Sequence, residues 1–481
     1  PTRFCHALTT SGRQMSTLTP DLLSELPLRD DQYSTTASDR DDHSRDWGTH
    51  PDDAVDPDVV VWPECTEDVS AVLELASDHG VPVTPFAAAT GIEGNAVPVC
   101  GGISLDMTRM DSVLDIRPDD LQVDVEPGVF GADINEALER HGLFFPPLPT
   151  SGDIATIGGM IATNAAGKQT VKYGKVGDWV LELEAVLADG SVVEVGTKAA
   201  KTSSGYNLRD LLVGSEGTLA VVTRATLKLA GRPAQRRAGR VVFDSFETAA
   251  AAASDIVRSG VDVAALELID SLAAEMANAY IDGDLPEKPM AFLEFHANHG
   301  VDEEIDFCRA VLESYAPLSV EFGDESAQAD LWEARRELAD ATRAYYPDLD
   351  SIVAGDVAVP ISKYPDLIER IHALARERDL AVPCFGHAGD GNIHFDVFAD
   401  KGDEAEWARA RDTYETIVRE ALRLGGTATG EHGIGRGKRK FMTDEHGEAG
   451  VRAMRAVKRA LDPDGVLNPG KVLPGPEAGD D

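Results

Sequence analysis

The chain has 481 residues, 43% of them hydrophobic, which is enough to build sizeable cores in two or three domains. Its 84 acidic side chains outnumber the 44 basic ones, and the formal net charge of −40 argues against nucleic acid or an anionic membrane as the main partner. No apolar run reaches the roughly eighteen residues of a membrane span, and residues 1–26 lack the pattern of a secretory signal. We therefore expect a cytoplasmic enzyme, with a peripheral association on the inner face of the membrane left open.

The acidic residues are spread along the chain in small clusters such as Asp30–Asp31 and Asp52–Asp53. Such a surface is typical of proteins that stay soluble where salt screens charge repulsion, so we expect a halophilic source. An unusually acidic mesophilic surface is the alternative. The five cysteines are odd in number and form no C-x-x-C pair, which disfavours a disulfide framework, an iron–sulfur cluster or a Cys-rich zinc site.

The sequence pattern divides the chain into four stretches. Residues 1–53 form a polar arm with one helical candidate at 18–26, and the part before Met15 need not be native. Residues 54–232 alternate strands and helices, residues 233–473 begin a new alternation after the break at Gly231–Pro233, and residues 474–481 are an acidic tail. The expected fold class is α+β.

The first folded stretch begins with a buried strand at Val59–Val61. Thr66 is expected to cap a helix that Gly80 ends, with one apolar face formed by Val69, Val72, Leu73 and Ala76. Further strands are predicted at 81–86, 103–105, 113–116 and 121–125, and a hairpin at 183–195 about Asp189–Gly190. In the second stretch, strand and Ala-rich helix patterns run from Phe246 to about Val397, and helices are predicted at 404–424 and 448–461.

The tract from Thr150 to Gly167 has few bulky polar side chains although it lies within a folded domain. Small residues let backbone N–H groups reach phosphate oxygens and a ring system, and three hydroxyls could donate hydrogen bonds. Tight packing between a helix and a strand would favour the same composition. On its own, this tract leaves both interpretations open.

Two further tracts carry similar features. Thr84–Asn95 follows a strand and has a Gly-x-x-Gly spacing suited to a pyrophosphate nest, and Gly205–Thr218 pairs a short apolar strand with a Gly-bounded turn. Neither a strand followed by G-x-G-x-x-G nor a Walker sequence is present, which argues against a nicotinamide-binding Rossmann domain or a P-loop.

Together the three tracts resemble the FAD-binding domain of the vanillyl-alcohol oxidase type, in the wording of its D-lactate dehydrogenase and glycolate oxidase branch. The resemblance covers about residues 57–473 and includes the terminal stretch Leu461–Val472, where the chain returns toward the flavin. It implies a FAD-binding domain at 54–232 in two subdomains and a substrate or cap domain at 233–473 with an antiparallel sheet and helices. No histidine lies between Thr84 and Pro98, so the FAD is expected to be noncovalent.

The resemblance implies that FAD contacts come from the three tracts and the C-terminal return. The expected contact residues are Pro85, Ala87, Ala88, Ala89, Thr90, Gly91, Ile92, Glu93, Gly94, Asn95, Pro149, Ser151, Gly152, Ala155, Thr156, Gly158, Gly159, Ala162, Thr163, Glu216, Gly217, Val222 and Asn468.

A second set of motifs carries metal-binding chemistry. His387 and His394 flank a Gly-Asp-Gly-Asn turn, and Glu431 lies in a second glycine-flanked motif. Two imidazoles and a carboxylate can chelate a divalent ion such as zinc, manganese or iron and leave positions open for a hydroxy acid. In the resembled family these three residues match metal ligands; structural histidines are the alternative.

His432 follows Glu431 and is expected to act as a base, because an imidazole accepts protons near neutral pH. The family resemblance assigns it the same role, although a helix-cap or hinge histidine would also fit. In the motif Leu331–Glu337, Arg335 matches the cation that binds the substrate carboxylate, with Arg336 as the fallback and a surface salt bridge as the alternative. Asn392 is expected to add a polar substrate contact.

The leading hypothesis is a FAD-dependent dehydrogenase that oxidises a small D-2-hydroxy acid, D-lactate first, and passes electrons to a cytochrome, a quinone or another carrier. The alternatives are a glycolate oxidase catalytic subunit and a D-2-hydroxyglutarate dehydrogenase. Relatives of the last kind have Lys-Tyr where this chain has Ala354–Gly355, which disfavours a second substrate carboxylate. A metal-dependent hydrolase and a non-catalytic binding module are the alternatives from other classes.

Overall fold

The computed structural model describes residues 18–26, 28–324 and 337–475, without the side chains of residues 20, 21, 324 and 352–354. The described residues form two compact units. The described residues within Pro1–Ala165, Lys175–Gly231 and Glu431–Asp481 form the first unit, and those within Ala166–Gly174 and Arg232–Gly430 form the second. The domain limits predicted from the sequence stay predictions, since these units record only which residues pack together.

The strands follow one another along both units. In chain order they are β1 (Tyr33–Ser34), β2 (Val59–Val61), β3 (Val83–Phe86), β4 (Ile103–Asp106), β5 (Val113–Arg117), β6 (Gln122–Val125), β7 (Leu143–Phe144), β8 (Val180–Val186), β9 (Val192–Gly196), β10 (Val221–Lys228), β11 (Ala230–Gly231), β12 (Gln235–Val242), β13 (Ala265–Ile269), β14 (Met290–Ala297), β15 (Ser319–Asp324), β16 (Asp350–Ala358), β17 (Cys384–Gly386) and β18 (Asn392–Ala399).

The α-helices lie before, between and after these strands. In chain order they are α1 (Pro20–Leu23), α2 (Ala37–Asp42), α3 (Thr66–His79), α4 (Gly131–Glu139), α5 (Ile157–Thr163), α6 (Thr170–Tyr173), α7 (Val176–Trp179), α8 (Leu208–Leu212), α9 (Phe246–Arg258), α10 (Ser271–Ile281), α11 (Val301–Leu312), α12 (Leu338–Tyr345), α13 (Tyr364–Arg378), α14 (Glu404–Arg423) and α15 (Met442–Leu461). None of these described helices is long and apolar enough to cross a lipid bilayer.

The first unit contains two main sheets. One has the order β1-β2-β4-β3, with β2 and β3 parallel to β4, and the other is antiparallel with the order β5-β6-β10-β8-β9. The predicted apolar face of α3 is confirmed, because Val69, Val72, Leu73 and Ala76 are all fully buried. The predicted hairpin is confirmed as β8 and β9, whose turn has Gly190 at a φ of 82°.

The expected cap of α3 is wrong in detail. Cys65, not Thr66, occupies the N-cap position, and its side chain makes no capping bond. The Thr66 hydroxyl instead donates to Glu184 on β8 at 2.7 Å. A tertiary hydrogen bond has therefore taken the hydroxyl that the local sequence pattern assigned to the helix end.

The second unit is built on one antiparallel sheet, whose described strands have the order β15-β12-β14-β13-β17-β18-β16. The Ala-rich helix α9 begins at a Ser245 cap and buries Ala249, Ala252 and Ile256 among others. Side chains from β13, β14, α10 and α12 form an apolar core together with Phe385. The predicted antiparallel sheet with helices in this half is thus confirmed.

Candidate functional site

The first glycine-rich turn follows β3 in the first unit, and its carbonyls are held from outside the turn. The backbone N–H groups of Trp47 and Gly48 donate to the carbonyls of Ala89 and Gly91 at 2.9 and 3.2 Å. Within the described part of the chain, the N–H groups of residues 88–92 have no hydrogen-bond acceptor. A half-buried turn with tied carbonyls and available amides can bind phosphate oxygens, so it fits the pyrophosphate of FAD.

In the second tract, some small residues pack tightly against another chain segment, and others are accessible. A Cβ on Gly158 would lie 2.6 Å from the Cβ of Pro127, so this position is small because two chain segments meet there. Thr156 caps α5, because its hydroxyl oxygen accepts a hydrogen bond from the Gly159 N–H. Gly159 is exposed. The N-terminal turn of α5 therefore offers small, accessible residues of the kind that a ring or ribityl chain would need.

In the third tract, the carboxylate of Glu216 binds the chain itself. It accepts hydrogen bonds from Asn95 Nδ2 at 2.6 Å and from the N–H groups of Ile434 and Gly435 at 2.7 and 2.8 Å. Burial raises the pKa of Glu216, and these three donors act in the opposite direction. Because both oxygens are engaged, the expected flavin contact of this residue stays a prediction.

Buried charges around this tract are residues that sequence reasoning missed. Lys471 donates to Asn468 Oδ1 at 3.2 Å, and burial lowers the pKa of this lysine to about 7. Lys438 pairs with Glu93 at 3.1 Å, and both side chains are buried. Neither lysine carried a local signal, because each lies among other basic or glycine residues near the C-terminus.

Glu431 and His432 lie at the start of the loop that Glu216 holds. The His432 carbonyl accepts from Asn95 Nδ2 at 3.5 Å, and His432 Nε2 is 3.9 Å from Glu431 Oε1. Both side chains are half-buried in the first unit. The side chains of the expected base and the expected ligand therefore lie close together.

In the second unit, the structure brings His387, Asn392 and His394 together at the turn between β17 and β18. The two imidazole rings lie with centroids 5.2 Å apart and planes at 89°. All three side chains are buried. In the described chain, the buried Asn392 Oδ1 has no hydrogen-bond partner. Two imidazoles beside a buried acceptor without a donor fit a bound cation or a substrate hydroxyl.

Two buried carboxylates support this turn, and the sequence analysis assigned neither a role. Glu267 Oε1 accepts from His387 Nδ1 at 2.6 Å. Asp356 accepts from Asn392 Nδ2 at 2.6 Å and from the Thr429 hydroxyl and the Gly430 N–H at 2.8 Å each. Asp356 thereby fixes the backbone directly before Glu431. A single acidic residue within an apolar strand such as β13 is the signal that could have identified Glu267.

The expected substrate cation, Arg335, and its fallback, Arg336, lie outside the described residues. Their role therefore stays a prediction.

Comparison with protein families identifies two matching models. One, described as the FAD binding domain, matches residues 57–196, and the other, described as the C-terminal domain of FAD linked oxidases, matches residues 232–472. Together the two matches begin at residue 57 and end at residue 472, in agreement with the extent of the resemblance found in the sequence.

Curated relatives match over most of their length. The chain is 36% identical to a probable mitochondrial D-lactate dehydrogenase of Danio rerio, covering 92% of this chain and 89% of the relative. It is 34% identical to the mitochondrial D-lactate dehydrogenase (cytochrome) of Arabidopsis thaliana, covering 94% of this chain and 80% of the relative. It is 35% identical to the glycolate oxidase subunit GlcD of Bacillus subtilis, covering 87% and 89%.

Solved structures with a similar fold include 4-ethylphenol oxidase from Gulosibacter chungangensis, with a TM-score of 0.75, 18% identity and coverage of 95% of this chain and 97% of that one. p-Cresol methylhydroxylase gives a TM-score of 0.74 at 16% identity, covering 97% and 98%. At these identities the similarity concerns the fold alone. The predicted fold class, a FAD-binding domain of the vanillyl-alcohol oxidase type with a cap domain, is confirmed.

Proposed function

This chain belongs to the family of FAD-linked oxidases, and on that premise we propose that it is a FAD-dependent dehydrogenase that oxidises D-lactate to pyruvate. The observation that carries the proposal is the buried His387–Asn392–His394 group, supported by Glu267 and Asp356, in a chain whose other half has a turn suited to pyrophosphate. The names of its D-lactate dehydrogenase relatives support the same substrate.

The proposed chemistry assigns a separate task to each group of residues. Bound FAD would supply the hydride acceptor, and a divalent zinc, manganese or iron ion would supply a Lewis acid. His387, His394 and Glu431 would hold the metal ion. The His432 imidazole would take the proton of the substrate hydroxyl, Asn392 would contact the substrate, and Arg335 would bind its carboxylate. The Cα hydrogen would then leave with its electron pair as hydride, for which FAD is the acceptor, and the hydroxyl carbon would become the carbonyl carbon of pyruvate.

Glycolate is the second candidate substrate, because the GlcD relative is 35% identical over most of both chains. D-2-Hydroxyglutarate is less favoured, since Ala354–Gly355 provides no cation for a second carboxylate. A hydrolase that uses the same histidines with water as nucleophile is disfavoured by the two matching FAD-oxidase family models.

Several finer properties belong to the proposal. We propose that the FAD is noncovalent, that a cytochrome, a quinone or another carrier takes its electrons, and that the protein acts in the cytoplasm or peripherally on a membrane. The net charge of −40 supports a halophilic source.

Anaerobic mixing of the FAD-loaded protein with each acid tests the substrate assignment. D-Lactate should bleach the oxidised flavin band fastest at equal concentration, with glycolate slower and D-2-hydroxyglutarate slowest. Bleaching by glycolate alone would reassign the substrate. A protein purified without flavin and unable to bind added FAD would contradict the whole proposal.

A further inference from the structure

Two carboxylate–histidine pairs lie on the same face of the sheet in the second unit. In β13 and β14, Ala265 pairs with Glu294 and Glu267 pairs with Phe292. Side chains of paired residues and of alternate residues share a face, so Glu267 and Glu294 point to the same side. Phe385 pairs with both Ile269 and His394, which places His394 on that side as well. The two pairs can therefore be compared directly.

The first pair joins Glu267 to His387. Its Oε1–Nδ1 distance is 2.6 Å, and the side chains are 0% and 3% exposed. The other residues of β13 are apolar and buried, so a carboxylate there carries a desolvation cost that needs a compensating partner. An ionised carboxylate can only accept a hydrogen bond, so a neutral His387 ring bonded to Glu267 in this way carries its proton on Nδ1. The lone pair is then on Nε2.

The second pair joins Glu294 to His296 and has a different arrangement. Glu294 Oε1 is 2.7 Å from His296 Nε2, and the other nitrogen, Nδ1, is 2.9 Å from the Tyr173 hydroxyl. Lys168 lies 3.2 Å from Glu294 Oε2. Burial alone would raise the pKa of Glu294, but the bond from His296 and the charge of Lys168 lower it to about 2. Both nitrogens of His296 are thus engaged by protein groups.

We propose that Glu267 is a positioning residue that fixes the orientation and tautomer of His387 so that Nε2 can ligate a divalent metal. This inference rests on the metal site of the proposed function. Carboxylates that accept from the second nitrogen of a ligating histidine hold the ring in place and raise its basicity. Glu294 has no such role, because His296 is not among the expected ligands.

The two pairs therefore provide a test variant and a matched control. Glu267→Gln keeps the size and one acceptor oxygen but removes the charge, and Glu294→Gln does the same to a carboxylate equally close to a histidine on the same face. The FAD-loaded proteins are freed of metal with a chelator and titrated with Zn²⁺ or Mn²⁺ against a competing indicator. Flavin content and melting temperature are recorded for every variant.

The Kd for metal should rise about 10- to 100-fold in Glu267→Gln. In Glu294→Gln it should stay within about twofold, since Glu294 binds His296 and Lys168 and none of the expected ligands. An unchanged Kd in Glu267→Gln, or an equal loss in both variants, would overturn the inference while leaving the metal site itself standing. Failure of the unmodified protein to bind either ion would overturn both.

A measurement on the unmodified protein keeps the inference testable if Glu267→Gln does not fold. In the Zn²⁺-loaded protein with ¹⁵N-labelled histidine, the long-range proton–nitrogen spectrum should identify Nδ1 as the protonated nitrogen of His387. A proton on Nε2 would contradict the assignment.

Discussion

His432 lies close to a carboxylate and a side-chain amide of the first unit. Its Nε2 is 3.9 Å from Glu431 Oε1, and its carbonyl is bound by Asn95. An imidazole accepts and releases protons near neutral pH, which is what removal of a hydroxyl proton requires. Another histidine in the same unit, His446 on α15, is exposed, and its Nε2 lies 3.8 Å from Glu445 Oε1. His432 is half-buried and lies within the Gly430–Gly435 loop, whereas His446 is exposed and lies outside it.

Replacing His432 by Gln should lower the rate of flavin reduction at saturating D-lactate by about 10²- to 10⁴-fold, the usual contribution of a general base. His446→Gln should leave that rate within about twofold, because it removes no group assigned to the chemistry. Rapid mixing under anaerobic conditions measures both rates. Equal rates in His432→Gln and the unmodified protein would remove His432 from the mechanism.

The Gly430–Gly435 loop is held by Glu216, whose three hydrogen bonds join it to the first glycine-rich turn through Asn95. Gly433 in this loop has a φ of 79°, and a Cβ there would lie 2.9 Å from Glu216 Oε1 and 3.0 Å from Asn95 Nδ2. Gly447 in α15 has a similar φ of 66°, but a Cβ there would meet nothing within 4 Å. Substitution of each glycine therefore separates the effect of backbone strain from the effect of contact with Glu216.

Gly447→Ala should lower the free energy of unfolding by about 1–3 kcal/mol, because a φ of 66° with a ψ of 166° is a backbone conformation that is essentially restricted to glycine. Gly433→Ala should cost about 1–3 kcal/mol more, since Glu216 cannot move aside without losing a donor. It should also slow flavin reduction, whereas Gly447→Ala should not. Urea unfolding and anaerobic mixing measure these effects, and equal losses in the two variants would show that Glu216 does not confine the loop.

The elements that could be predicted from the sequence are those with a local signal. The apolar face of α3 and the Gly190 hairpin follow from periodicity and turn chemistry within about twenty residues, and both were found where predicted. The order of strands in the second unit had no such signal, because β17 lies beside β13 although more than a hundred residues separate them. The prediction that Thr66 caps α3 was wrong because Glu184, on a distant strand, binds Thr66.

The same limit applies to the candidate site. His387, His394, Glu431 and His432 could be chosen because glycine-flanked motifs surround them. Their supporting carboxylates lie far away in sequence, as with Glu267, which is 120 residues from His387. Only the isolated acidic residue in an apolar strand hints at such a role. Register and pairing, which tertiary packing decides, were needed to see which histidine it supports.

Across the whole molecule, the net charge of −40 favours expansion, because like charges repel one another. Some acidic side chains are neutralised locally, as with Asp124, which binds Arg117 and Lys198 at 2.6 and 2.8 Å. With 84 acidic and 44 basic side chains, most of the excess cannot be paired in this way. Salt should therefore act on the stability of the fold as a whole.

Raising KCl from about 0.1 M to about 1 M shortens the screening length from about 10 Å to about 3 Å and should raise the melting temperature by at least ~5 °C. An uncharged osmolyte at the same osmolality is the control, since it does not screen charge. Thermal unfolding measures the effect. A melting temperature independent of KCl, or equally raised by the osmolyte, would count against the halophilic proposal.

Repeating the anaerobic titration of the FAD-loaded protein with D-lactate and L-lactate at equal concentrations tests whether the protein is a D-lactate dehydrogenase. The assignment to D-lactate requires that D-lactate bleach the oxidised flavin band and yield one pyruvate per flavin reduced, while L-lactate leaves the band unchanged. Bleaching by L-lactate alone, or no bleaching by any 2-hydroxy acid in protein loaded with FAD and metal, would contradict it.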